Sequence, residues 1–158
     1  MQPWKPHLAA GTGEEADIAA TAPTLLVRVG AGLVLVAGVV ALLTGLQSAL
    51  LVTIRGPMSL APYALLVLGL ATVVAATLIW RMRGYGAIAA TALTGVQIVL
   101  TSIWLFYSFG HGFFTLYALF APLAQVVGVV FAAVSIAPCL RASAGRARLA
   151  AAGLDFGI

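Results

Sequence analysis

Four uninterrupted apolar runs, covering about 24–54, 60–80, 85–108 and 113–140, constrain this chain more than any motif it carries. Each is near or above the ~20 residues that an α-helix needs to cross a hydrocarbon layer ~30 Å thick. Peptide groups inside such a layer have no water to bond with, so a helix, whose hydrogen bonds all lie within the segment, is the default. A membrane barrel would need short strands alternating apolar and polar residues, and no run here alternates. The expected fold class is all-α, an integral membrane four-helix bundle.

Turn-forming residues separate the runs: Arg55-Gly56-Pro57-Met58-Ser59, Arg81-Met82-Arg83-Gly84 and Phe109-Gly110-His111-Gly112. Connections this short require antiparallel neighbours. A transmembrane domain at 24–140 is thus expected between a polar arm, 1–23, and a basic tail, 141–158. Composition agrees, because 63% of the residues are hydrophobic and 8% charged, whereas a soluble domain carries roughly a quarter charged residues to wet its surface. The arm, with Glu14, Glu15 and Asp17 before the first apolar run, does not read as a secretory signal.

The basic residues give the orientation. Lys5, Arg28, Arg81, Arg83, Arg141, Arg146 and Arg148 fall on one side of the four spans and only Arg55 on the other. Cytoplasmic loops hold the excess of Lys and Arg, so both termini and the 81–84 turn are expected in the cytoplasm. Arg28, Arg81, Arg83 and Arg141, with Trp80 and Trp104, are the expected interface anchors. Phe106, Phe109, Phe113, Phe114 and Tyr117 crowd the outer end, as an anchoring belt or as the mouth of a hydrophobic site for a lipid or partner helix. The basic residues are scattered singly or in pairs between apolar runs, with no aromatic-and-basic cluster of the kind a nucleic-acid surface needs, so nucleic acid is not an expected partner.

Within this apolar background, Leu43-Thr44-Gly45-Leu46-Gln47 is nearly repeated as Leu93-Thr94-Gly95-Val96-Gln97. A tandem repeat of a two-helix unit would give this match, and both units would insert the same way, related by an axis along the membrane normal. Thr91, Thr94, Gln97, Thr101, Trp104 and Ser108 recur at spacings of three and four, which puts them on one helical face. Thr44, Gln47, Thr94, Gln97, Thr101 and Gln125 form the candidate polar intramembrane face. A glutamine amide offers two donors and an acceptor, and in lipid it must find partners on other helices. Two readings follow: interhelical bonds that fix register, or a small polar cavity or subunit interface that a solute or lipid headgroup crosses. Pro122, one turn before Gln125, frees the carbonyl of Ala118 and is expected to kink the last span; Pro138 is expected to end or bend it.

Catalytic constellations are missing from the sequence. The spans carry no ionisable residue away from their ends, unlike pumps and proton-coupled carriers. His111, alone between two glycines, reads as a turn residue, and Cys139, the one cysteine, as a buried or interfacial thiol. No cofactor and no metal site are expected. The expectation is a small membrane protein without catalytic activity, acting through helix contacts as an accessory, assembly or membrane-organising subunit. Its partners would be the lipid bilayer and a second copy or another membrane protein. The alternative is a small oligomeric transporter or channel using the Thr/Gln face. The cytoplasmic membrane of a bacterium is the expected location.

Overall fold

A backbone that must satisfy its own hydrogen bonds forms long helices, and the computed structural model, which describes residues 18–51, 60–110 and 116–151, contains four of them. They are α1 (Leu25–Leu51), α2 (Ala61–Trp80), α3 (Gly84–Gly110) and α4 (Leu116–Ala151). All four are long and apolar enough to cross a membrane, and no strand occurs among the described residues. Arg55, His111, Phe113, Phe114, residues 1–17 of the arm and the end of the tail lie outside the described residues.

Helix starts follow local chemistry. The hydroxyl of Thr24 accepts from the amide of Val27 at 3.4 Å, capping α1. Pro62 stands in the first turn of α2, where its missing N–H costs nothing. The 20 residues of α2 rise about 30 Å, one hydrocarbon thickness, whereas the 36 of α4 rise about 54 Å and overshoot it. Hydropathy alone ends the last span at 140, but α4 continues to Ala151, through both Pro122 and Pro138. The extension, 141–151, is mostly Ala and Arg, which are strong helix formers, and it keeps burying Ala142 and Leu149 on the face used by Ser135 and Cys139.

The helices form a ring in chain order. Each packs on its sequence neighbours, α4 closes against α1, and the diagonal between α1 and α3 is nearly empty. Buried positions on α4 are Ala121, Gln125, Gly128, Ala132, Ser135, Cys139, Ala142, Gly145 and Leu149, a spacing of three and four that keeps one seam facing the partners. Alanine dominates the interior, while large residues such as Phe106, Leu70 and Val99 point outward. This inversion suits lipid, where helix association depends on close van der Waals approach and small residues permit it.

Close backbone approach joins α1 and α2. A Cβ built on Gly69 would lie 2.9 Å from the amide nitrogen of Leu42 and 3.0 Å from the carbonyl oxygen of Gly38. One on Gly45 would lie 2.8 Å from the carbonyl oxygen of Pro62. Backbone therefore rests on backbone, and a methyl group has nowhere to go.

The connection between α2 and α3 is a Schellman turn. Arg83 N–H donates to the carbonyl of Leu78 at 2.9 Å and Met82 N–H to that of Ile79 at 2.8 Å. Its left-handed position, usually glycine, is Met82 with φ 54°. The extension of α4 holds this turn: Arg146 donates to the carbonyl of Met82, and Gly84 N–H donates to the Ser143 hydroxyl at 3.0 Å.

Gly69→Ala should destabilise the protein by about 1–3 kcal/mol, the usual cost of overpacking a tight contact. Gly95→Ala is the control, since a Cβ at Gly95 meets nothing within 4 Å. Thermal unfolding in detergent reads both, and equal melting temperatures for the two variants would refute the close-packed α1–α2 seam.

Candidate functional site

All four helices contribute polar side chains to the bundle interior, and α2, α3 and α4 supply the ones that bond from helix to helix. On α3 the inward face runs Ala87, Ala90, Thr94, Gln97, Thr101 and Trp104, at spacings of three and four. Gln97 is the middle residue of the helix and fully buried, as is Gln125 on α4.

Each buried amide crosses to the preceding helix. Gln97 Nε2 donates to Thr72 Oγ1 on α2 at 2.8 Å, and Gln125 Nε2 donates to Thr101 Oγ1 on α3 at 3.0 Å. Thr72 in turn donates to the carbonyl of Leu68 in its own helix at 2.8 Å. A hydroxyl has one proton, and in this arrangement the proton of Thr72 points along α2. Only a lone pair is left for Gln97, so the amide presents its NH₂ group and turns its oxygen away. Gln97 Oε1 and Gln125 Oε1 are both buried and accept no hydrogen bond from the described residues. Leaving such an acceptor unmatched costs on the order of 1–3 kcal/mol each, so the site is polar beyond what its own pairing uses.

The six residues of the sequence-defined face therefore separate. Gln97, Thr101 and Gln125 join one seam with Thr72. Thr94 is buried beside Gly128 and donates to the carbonyl of Ala90. Thr44 is buried on α1 and donates to its own helix at Val40, 2.8 Å away. Gln47 is only half-buried and belongs to neither amide–hydroxyl pair. The matched segments thus meet different surroundings: Gly45 lies against the α2 backbone, whereas nothing crowds Gly95.

Thr72 was not among the sequence candidates. Its signal was its register, because it shares the three-and-four spacing of Leu65, Gly69, Ala76 and Ile79 and is the polar member of that inward face.

Among the expected anchors, Arg28, Arg81, Arg83, Arg141 and Trp80 are exposed. Trp104 is not: it is 5% exposed and stacks on Tyr107 with ring centroids 5.8 Å apart. It sits two turns after Gln97 on the same inward face, so its indole is carried into the bundle instead of toward lipid. Nothing in the seam titrates near neutral pH. Among the described residues no group of three His, Cys, Asp or Glu side chains could hold a metal ion.

A double-mutant cycle between Gln97→Leu and Thr72→Val should return a coupling of about 0.6 kcal/mol, and at most about 1.7, the range of hydrogen bonds between membrane helices. Unfolding in detergent supplies the four stabilities, and a coupling of zero would remove the Gln97–Thr72 bond from the account.

No protein-family model, no curated protein and no solved structure matches the chain. The reading of its function rests on the seam and on the bundle that holds it.

Proposed function

We propose that this is a multi-pass membrane protein without catalytic activity, which acts through helix contacts as an accessory, assembly or membrane-organising subunit. The observation that carries this reading is that its two fully buried amides are spent on fixing neighbouring helices of one chain to each other, Gln97 to Thr72 and Gln125 to Thr101. A rigid bundle with large apolar side chains on every outward face is suited to meeting lipid and other helices. Neighbouring helices run antiparallel, a reading supported by the pairing of Gly38 with Gly69 and Val73 while Gly45 meets Pro62 and Leu66. The 43–50 and 93–100 segments are read as copies of one two-helix unit that have diverged in burial.

Both termini and the 81–84 turn face the cytoplasm of a bacterial cell in this proposal. Arg146 and Ser143 at the turn bring the arginines of α4 to the same end as Arg81 and Arg83, the distribution that the positive-inside rule assigns to the cytoplasmic side.

A second reading is favoured by one specific observation. Gln97 Oε1 and Gln125 Oε1 are buried acceptors without a donor among the described residues, and such atoms suit a path for a hydrogen-bonding solute in an oligomeric transporter or channel.

Two experiments test these readings. Gln97→Leu should lower folded yield and the recovery of complexes in mild detergent, with solute flux through liposomes at background for both forms. A wild-type flux that disappears in Gln97→Leu at full folded yield would overturn the helix-contact reading and establish transport. For orientation, Arg83→Cys in a Cys139→Ala background should react with an impermeant maleimide only after the cells are opened. Labelling in intact cells would reverse the topology.

A further inference from the structure

The outward surface between α1 and α2 is not smooth. A groove of about 210 Å³ opens there, lined by Gly32 and Leu35 from α1, by Ala76 and Trp80 from α2 and by Arg81, which follows α2. Its walls are almost wholly apolar, but its end at the close of α2 carries a guanidinium, Arg81, beside an indole that is 55% exposed, Trp80. Arg28 falls one turn before Gly32 on the same face of α1, and side chains in a helix lean toward its N-terminus, so Arg28 leans past the same end of the groove. One cation thus lines the mouth of an apolar slot and a second lies one helical turn beyond it, with an aromatic ring of the kind that sits at headgroup depth. Among the described residues no acidic side chain shares this surface with the arginines. In a bilayer the slot faces acyl chains and its mouth faces phosphates.

We infer that this groove is a binding site for one anionic phospholipid, with an acyl chain along Gly32, Leu35 and Ala76 and the headgroup phosphate between Arg28 and Arg81. The absence of a side chain at Gly32 opens the slot: a Cβ built there meets nothing within 4 Å. Basic pockets between helices on the cytoplasmic side recognise anionic headgroups by this same combination of charge and shape. The inference rests on the membrane reading and is independent of whether the glutamine seam is dry packing or a path.

The test uses the full chain in neutral detergent, titrated with phosphatidylglycerol or phosphatidylcholine, with retained lipid counted by native mass spectrometry. One phosphatidylglycerol per chain should be retained, at least tenfold more tightly than phosphatidylcholine. Arg28→Gln and Arg81→Gln should each weaken it about fivefold, the contribution expected of one arginine near an anionic headgroup. Gly32→Leu should fill the slot and weaken binding without changing charge, while Arg141→Gln, which removes a cation of α4 away from the groove, should leave it unchanged. Free glycerol phosphate should not compete, since it lacks the chain. Equal retention of the two lipids, an equal loss in Arg141→Gln, or a groove filled by a second copy of the chain would overturn the site. Arg81 is exposed, so Arg81→Gln keeps the test decisive even where Gly32→Leu perturbs folding.

Discussion

Hydrocarbon offers no hydrogen bonds, and this one deficiency sets the behaviour of every polar atom within the spans. At the shortest range it makes the backbone helical. At the next it turns hydroxyls back on their own helix: Thr44, Thr72, Thr91, Ser135 and Ser143 each donate to the carbonyl four residues earlier. On so short a stem the hydroxyl proton of these residues stays within its own helix. The amide group of glutamine stands one methylene farther out, with its nitrogen beyond a carbonyl carbon, and reaches the neighbouring helix, so in this bundle the side chains that join α2 to α3 and α3 to α4 are Gln97 and Gln125. Stem length decides which polar residues close a helix upon itself and which tie helices together.

The other two faces of the ring are joined without amides. Between α1 and α2 the glycines bring backbones into contact. Between α1 and α4, a Cβ on Gly30 would meet the Ser135 hydroxyl at 2.8 Å and one on Gly128 the Ala37 methyl at 2.7 Å, so small residues interlock from both sides. Lipid removes most of the hydrophobic drive between helices, and register must therefore come from shape or from directed bonds. The bundle uses shape on both faces of α1 and directed bonds on both faces of α3. A lengthwise slip of α3 by one residue would break two amide–hydroxyl bonds, whereas a slip of α1 would drive glycine-sized gaps onto bulkier neighbours.

Periodicity made much of this legible. The spans followed from run length, and the inward face of α3 from the spacing of Thr94, Gln97, Thr101 and Trp104. Partners were harder to read, because a donor's partner is a tertiary fact: Thr72 looks like any small polar residue in an apolar span until α3 is laid beside it. Gln47 and Gln97 share nearly identical local sequence, yet one is half-exposed and the other fully buried, since burial is decided by which helix lies opposite. Trp104 shows a conflict between two rules. Aromatic residues near a span's end favour the interface, but helical phase fixed its direction inward, and phase prevailed. Hydropathy also misjudged 141–151, because arginine lowers it while leaving helix propensity intact.

That extension explains why a methionine can occupy the left-handed position of the α2–α3 turn. The conformation costs a residue with a Cβ roughly 1–2 kcal/mol. Met82 is 2% exposed, so its side chain is packed, and its carbonyl accepts from the Arg146 guanidinium, a bond to a charged donor of the kind worth about 1.5–3 kcal/mol. The two contributions offset the strain, provided that α4 is long enough to bring Arg146 to the turn. Residue 146 stands six positions beyond the apolar run that ends at 140, nearly two further turns of helix. The length of α4 beyond the hydrocarbon is thus a structural requirement of the α2–α3 connection. The arginines of this end consequently serve two demands at once: their charge biases which side of the membrane the end occupies, and Arg146 closes the last helix onto the middle of the chain.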